Sequence, residues 1–271
     1  MIPPGWAALA GAVVAALDSP GLPKGLADLL RHTAPFTYTV VFGYRGPDRP
    51  IDLYDDFPPN KRKIFVTDYQ AGPYLLDPFY LAAVRPVAPG LYRLRDMAPD
   101  RFYQGEYYRN YYAQTGLAEE IAYFVSLPDR AMIVLSLMRA EKPFSQKEFL
   151  ALEALFPFVA AAVQRHWAAF GVDAGQGGAR VGLRGERRSV AHDFGSFGVG
   201  ILTAREREVA EYTLKGHSAE SAGQIMGISP GTVRIHRRNI YAKLRINSQG
   251  ELFSLFLETL DAAVLKTLQR S

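Results

Sequence analysis

The sequence predicts an α+β protein in two folded parts. Residues 1–170 form an antiparallel sheet flanked by helices, an α/β/α sandwich, and residues 201–271 form an all-α bundle of four helices. Three observations carry this. Two pairs of apolar, β-branched or aromatic runs joined by turn residues lie before residue 140. Residues 171–200 hold nine glycines and no hydrophobic period, the composition of a flexible linker. Beyond residue 200 the apolar residues have helical spacing, and two of the runs open on a capping box.

Pro4–Leu17 reads as an N-terminal helix closed by Asp18-Ser-Pro-Gly, and a second helix follows around Lys24–Thr33. The first is too short to span a bilayer and has no basic flank, so neither a signal peptide nor a membrane helix is expected. Phe36–Tyr44 has strand composition, Gly46–Pro50 turns the chain, and Ile51–Asp55 is the antiparallel return. Lys61–Val84 is expected to be mostly helical with a break at Gly72-Pro73, and Pro86, Pro89 and Gly90 mark a loop. Asp100–Gly116 is helix-prone and holds Phe102, Tyr103, Tyr107, Tyr108, Tyr111 and Tyr112, with Tyr92 just upstream. Strands are expected at Glu120–Leu127 and Ala131–Arg139. Ser145-Gln-Lys-Glu148 then caps a long helix to about Phe170, kinked at Pro157. That helix has more apolar positions than one stripe needs. The surplus fits either the same helix of a second subunit or burial under the N-terminal helix.

Thr203-Ala-Arg-Glu206 is a capping box opening a helix through Leu214, ended at Gly216. The next helix stops at Gly227. Ser229 can cap a third helix with Pro230 at its first position. Wound at helical pitch, Pro230–Arg245 places Val233, Ile240 and Leu244 on one side, with His236 and Arg237 at its edges. Arg234, Ile235, Arg238, Ala242 and Arg245 fall on the other. A helix buried by one stripe and carrying three arginines and no carboxylate on the opposite one suits a DNA groove, where guanidinium forks reach guanine O6 and N7. For an isolated helix a solvated bundle face would be the commoner reading, and the capped segments on either side reverse that order. Ser248-Gln-Gly-Glu251 opens a last helix with apolar Leu252, Phe253, Leu255, Phe256 and Leu260. Four short helices with a tight turn between the second and third make a helix-turn-helix domain.

The stretch LTAREREVAEYTLKGHSAESAGQIMGISPGTVRIHRRNIYAKLRINSQGE resembles the LuxR-type (GerE/NarL-like) DNA-binding domain through LTxREREV, Gly216-x-Ser218, GIS-x-GTV-x-x-H and NIY-x-KL. The resemblance covers about a fifth of the chain. It implies base-facing roles for Arg234, Ile235 and Arg238, backbone contacts from Ser229, Thr232, Lys243 and Arg245, and pairing through the last helix. The chain departs from the pattern at Ala219–Gly223, where the family has Asn-Lys-Glu-Ile-Ala, and at Arg245 and Gln249, where it has Gly and Arg. Gly223 on the supporting helix costs roughly 1 kcal/mol against Ala. The order of elements in the first 170 residues is similar to GAF- and PAS-like sensor domains and to the N-terminal domains of LuxR-type receptors of acyl-homoserine lactones.

That second resemblance directs attention to Asp77-Pro78, because such receptors present an Asp carboxylate to the ligand amide. The Trp and Tyr of that pattern are replaced by Ile64 and Asp68, so an amide- or amine-bearing effector fits better than a lactone. Asp77 can equally be a helix N-cap. Tyr69, Tyr74, Tyr92, Tyr103 and Tyr107 are the candidate aromatic lining, and aromatics of this kind also simply build cores.

The 271 residues carry a net charge of +4, with ten basic and seven acidic residues from Ile201 onward and a balanced first 170. The excess thus sits where DNA is expected. No cysteine is present, which excludes disulfides, thiolate catalysis and Cys-ligated zinc and is compatible with a reducing cytoplasm. The five histidines are scattered, and there is no phosphate loop or nucleophile elbow. The sequence therefore points away from catalysis, metal and cofactor. It points toward a cytoplasmic homodimeric regulator of pseudo-palindromic double-stranded DNA, controlled by a small-molecule effector in a quorum-sensing-like manner, with RNA polymerase a further candidate partner. The alternative is a front half that only dimerises or docks a protein.

Overall fold

The computed structural model describes residues 4–85, 87–170, 194 and 196–268. The linker expected at 171–200 lies outside them except for 194 and 196–200. The fold is α+β. In chain order its main elements are α1 (Trp6–Ala15), α2 (Leu22–Thr33), β1 (Tyr38–Arg45), β2 (Ile51–Asp55), α3 (Pro78–Ala83), β3 (Gly90–Arg93) and α4 (Glu106–Asn110). Then come β4 (Glu119–Ser126), β5 (Ala131–Arg139), α5 (Gln146–Glu153), α6 (Phe156–His166), α7 (Ala204–Leu214), α8 (Ala219–Met226), α9 (Pro230–Leu244) and α10 (Gln249–Leu268).

Two compact units emerge. The first holds the described residues up to Arg62, then Ala82–Met97 and Leu117 to 170. The second holds Lys63–Leu81, Ala98–Gly116 and the described residues from 194 on.

The first unit is built on a five-stranded antiparallel sheet in the order β2-β1-β5-β4-β3. β1 and β5 pair from Tyr38 opposite Met138 to Arg45 opposite Ala131, so strands distant in sequence form its centre. The odd-numbered side chains Val41, Ile121, Tyr123, Val125, Ile133, Leu135 and Leu137 share a core with Leu22, Leu26, Leu29 and Leu30 of α2 and with Leu152, Val159 and Val163 of α5 and α6. The alternate face, with Val40, Phe42, Tyr44, Phe124 and Val134, is buried too. Both pairs of strands expected from the sequence form. β3 was not expected, because Pro89 and Gly90 read as loop, yet Gly90–Arg93 pairs with Ile121–Phe124. Four residues at a sheet edge carry too little periodicity to be seen in advance.

The long closing helix is two helices rather than one kinked helix. Pro157 lies in the first turn of α6, where its missing N–H breaks no bond, and the chain turns at Ala154 and Leu155. Part of its apolar surplus is answered from within the chain, since Trp6 of α1 meets the Phe158 ring at 6.0 Å. At the C-terminal end Phe170 lies flat on β1. A Cβ at Gly43 would stand 2.4 Å from its ring, so only glycine fits there.

A buried ion pair ties the sheet edge to the helical layer. Arg93 Nη1 donates to Glu119 Oε1 at 2.6 Å and to the Phe144 carbonyl at 3.1 Å, while the Phe144 N–H donates to Glu119 Oε2 at 2.5 Å. Its guanidinium carbon sits 4.3 Å from the Phe149 ring centre.

In the second unit, Lys63–Leu81 is mostly helical with a break at Ala71-Gly72, as expected, whereas Ala98–Gly116 is less helical than expected. Asp100–Gly116 holds three short turns: Phe102–Gln104, α4 and Tyr112–Thr115. Phe102 lies within 6.0 Å of four tyrosine rings, those of Tyr103, Tyr107, Tyr108 and Tyr112. Packing so many rings around one centre needs changes of direction that a single helix does not allow.

Candidate nucleic-acid interface and effector site

The helix starts in the C-terminal segment are set by capping side chains, of which Thr203 and Ser229 were expected and Ser218 was not. The Thr203 N–H donates to Glu206 Oε2 at 2.8 Å and the Glu206 N–H to Thr203 Oγ1 at 3.2 Å, a complete capping box. Ser218 and Ser229 each accept from the N–H three residues on, at 2.9 and 3.0 Å. Gly227 ends α8 at φ 66°, which opens the turn into α9. Leu202, Val209, Leu214, Ala222, Val233, Ile240, Leu252, Phe253 and Phe256 make the core. Phe194 stacks on Phe256 at 4.7 Å, so the packed segment begins before residue 201.

Gly223 has a structural reason. A Cβ there would lie 2.7 Å from the Ile228 carbonyl oxygen, so the turn approaches α8 more closely than alanine permits. The sequence shows only the propensity penalty. Gln249 also has a role, since its side-chain amide donates to the Thr213 carbonyl at 3.1 Å. Arg245 adopts a left-handed conformation, φ 57° and ψ 42°, at the end of α9, where the family places Gly.

α9 presents the two faces expected. Val233 and Ile240 are fully buried, while Arg234, Ile235, Arg238, Ala242 and Arg245 are exposed, Ile235 by 54%. Arg237 is not part of that exposed face. Its Nε donates to Thr213 Oγ1 at 2.9 Å and its Nη2 to the His217 carbonyl at 2.7 Å, which anchors α9 to α7 and the turn after it.

Of the expected backbone contacts, Ser229 and Thr232 sit at the N-terminus of α9 with their hydroxyls 2.8 Å apart. Lys243 Nζ donates to Glu206 Oε2 at 2.7 Å, and this bond is the main reason Glu206 stays below the ordinary carboxylate range. Arg234 forms an ion pair with Glu220 of α8. Both partners are more than half exposed, so the pair is readily exchanged for a phosphate or a base.

The candidate effector residues only partly converge. Tyr69 Oη donates to Asp77 Oδ2 at 2.6 Å, and the Phe79 N–H donates to Asp77 Oδ1 at 2.9 Å. The second bond is the helix-capping role anticipated for Asp77. Burial pushes its carboxyl up to about 6 despite these donors. Tyr74 meets Tyr69 edge-on at 6.2 Å, and Tyr107 is reached through Tyr111, at 5.4 Å from Tyr107 and 6.3 Å from Tyr69. Tyr111, which donates to the Ile64 carbonyl at 2.7 Å, is the member of the cluster that the candidate lining left out. Tyr103 is half exposed on the far side of Phe102. Tyr92 belongs to the other unit, on β3, with its hydroxyl donating to the Ala88 carbonyl at 2.7 Å. Among the described residues no helix is long and apolar enough to cross a membrane.

A capped helix-turn-helix with an exposed arginine stripe, preceded by an antiparallel α/β domain, defines a DNA-binding regulator rather than an enzyme. Comparison with known proteins makes this specific. Residues 200–256 match the family of bacterial regulatory proteins of the luxR type. The chain is 33% identical over 195 residues to an HTH-type transcriptional regulator of the exeN 3' region of Aeromonas salmonicida, covering 71% of this chain and 99% of that one. It is 41% identical over 51 residues to the transcriptional regulatory protein UhpA of Escherichia coli K12, covering 19% and 26%. The crystal structure of the LBD domain of VqsR from Pseudomonas aeruginosa superposes with a TM-score of 0.54 at 26% identity, covering 63% of this chain and all of that one. The chain belongs to the LuxR family of transcriptional regulators.

Proposed function

We propose that the chain is a cytoplasmic, homodimeric regulator that reads a pseudo-palindromic DNA site through α9 and is controlled by a small molecule. The observation that carries this is the exposed Arg234, Ile235 and Arg238 stripe standing over buried Val233 and Ile240 on a doubly capped turn. Arg234 and Arg238 read base edges, and Ser229, Thr232, Lys243 and Arg245 hold the backbone once Lys243 is released from Glu206. Two such helices placed by a dimer would enter major grooves one turn, about 10 bp, apart. The surplus apolar positions of α5, such as the half-exposed Leu150, support dimer formation. RNA polymerase is the partner such a dimer would engage at a promoter. Effector control is supported by the likeness to the VqsR LBD domain and by the Tyr69–Asp77 pair, whose carboxyl and hydroxyl suit an amide- or amine-bearing ligand.

One observation favours a second reading, in which the front half only dimerises or docks a protein. Both Asp77 oxygens already accept bonds from the chain itself. Selection of duplexes from a random pool, followed by footprinting, tests DNA recognition. Two protected half-sites are expected, and unenriched binding overturns it. A melting screen of the full chain against amides, amines, lactones and aromatic metabolites then separates the readings, because a ligand of the folded state raises the transition with concentration. Silence across the screen, with a stable dimer by light scattering, favours the second.

A further inference from the structure

The loop Pro99–Gly105, from the aromatic segment, is seated on the turn between α7 and α8 within the second compact unit. Three contacts hold it. The Ser218 N–H donates to the Asp100 carboxylate at 3.0 Å, and the Arg101 N–H donates to the Gly216 carbonyl at 3.0 Å. Gly216, at φ 91°, lets the Phe102 backbone approach so closely that a Cβ there would lie 3.1 Å from the Phe102 Cα. Burial alone would raise the Asp100 pKa, but the hydroxyl and backbone N–H of Ser218, with His217 nearby, outweigh it and hold Asp100 ionised. The Arg101 charge is felt by Glu220 on α8 and by Arg237 on α9. A further contact flanks the loop, with Glu106 of α4 standing beside Gly250 of α10.

On the DNA-binding reading above, this loop lies where the phosphate backbone would come. In a docked helix-turn-helix the first helix crosses the phosphate backbone, and backbone N–H groups at helix N-termini are common phosphate donors. α8 is that first helix, and its N-cap N–H is held by a carboxylate of the same chain.

We propose that Pro99–Gly105 is an internal competitor for DNA: Asp100 stands in for a phosphate at the start of α8, and the loop must leave that turn for the duplex to bind. This inference rests on the DNA-binding reading above. It also gives effector binding a route to DNA. The row Asp77, Tyr69, Tyr111, Tyr107, Phe102 is in contact at every step, with ring separations of 6.3, 5.4 and 5.7 Å, and ends on the loop that holds Gly216.

The test uses the full chain and the duplex enriched by selection. Asp100→Ala should tighten binding by about ten- to a hundredfold, the range expected when one charge-assisted hydrogen bond must first be broken. Amide exchange distinguishes release of the loop from simple removal of a negative charge near DNA. In the wild type, adding the duplex should speed exchange at the Arg101 N–H, which the Gly216 carbonyl protects here. Tighter binding without faster Arg101 exchange overturns the proposal, as does unchanged or weaker binding. If Asp100→Ala does not fold, Asp100→Asn, which keeps an acceptor but loses the charge, should tighten binding to a smaller extent, and no change overturns the proposal. Arg238→Ala is measured alongside. If it leaves binding to the selected duplex intact, the DNA-binding reading itself has failed. If it weakens binding while Asp100→Ala changes neither affinity nor exchange, only the competitor has failed.

Discussion

Asp77→Asn separates what the buried carboxyl does for folding from what it does for an effector. Burial lifts Asp77 from an ordinary 3.8 to about 6, against the opposing hydrogen bonds from Tyr69 and the Phe79 N–H. The folded chain thus holds the Asp77 proton more tightly than the unfolded chain. Between about pH 4 and pH 6 the native state carries more protons, so stability falls as pH rises through that window. The difference of about two pKa units corresponds to on the order of 3 kcal/mol present at low pH and lost above about pH 6. Asparagine mimics the neutral acid: its carbonyl can accept from the Phe79 N–H, and its amide can donate to the Tyr69 hydroxyl oxygen. Urea unfolding followed by the near-ultraviolet signal of the tyrosines should show the two proteins alike at about pH 3, below the unfolded-state value. Near pH 8 the variant should be more stable by about 2–3 kcal/mol, with a flatter pH profile. An Asn variant that is weaker at high pH and keeps the wild-type slope would mean the ionised carboxylate is the form the fold uses, and the reasoning would be wrong.

Three further outcomes follow from the same structure. Glu119→Gln leaves the Arg93 guanidinium buried with a neutral partner and should cost about 3–5 kcal/mol in a urea titration, whereas a loss below about 1 kcal/mol would mean solvent reaches the pair. Arg245→Gly relieves a left-handed non-glycine residue and should raise the C-terminal unfolding transition by up to about 1 kcal/mol, even though it removes a cation from the exposed face of α9; a drop in stability would refute the strain. Thr203→Ala removes the hydroxyl that accepts from the Glu206 N–H, the side-chain half of the capping box, and should destabilise the helical domain by about 1 kcal/mol. Calorimetry showing no change would mean water replaces the hydroxyl.

The parts of this protein that were legible in advance are those fixed by local chemistry. The caps at Thr203, Ser229 and Ser248, the left-handed stop at Gly227 and the two faces of α9 depend on residues within a few positions of each other. Both strand pairs were visible for the same reason. β3 was not, because its pairing with β4 is decided by strands some thirty residues away and its own four residues alternate only twice. Gly223 looked like a defect because the approach of the Ile228 carbonyl is a tertiary fact. The Tyr69–Asp77 bond could be suspected from composition, but Tyr111 joins that cluster only through the folded course of Asp100–Gly116. Arg237 was read by helical angle and Lys243 by family resemblance, neither of which can show that Glu206, Thr213 and the His217 carbonyl already hold them.

The most direct test of the account is the affinity of Arg238→Ala and Arg234→Ala full chains for the selected duplex and for duplex of random sequence. Base reading by α9 predicts a loss of about 1–3 kcal/mol on the selected site for each, with little change on random DNA. Equal losses on both duplexes would make these arginines phosphate contacts only, and no loss on either would place the DNA interface elsewhere.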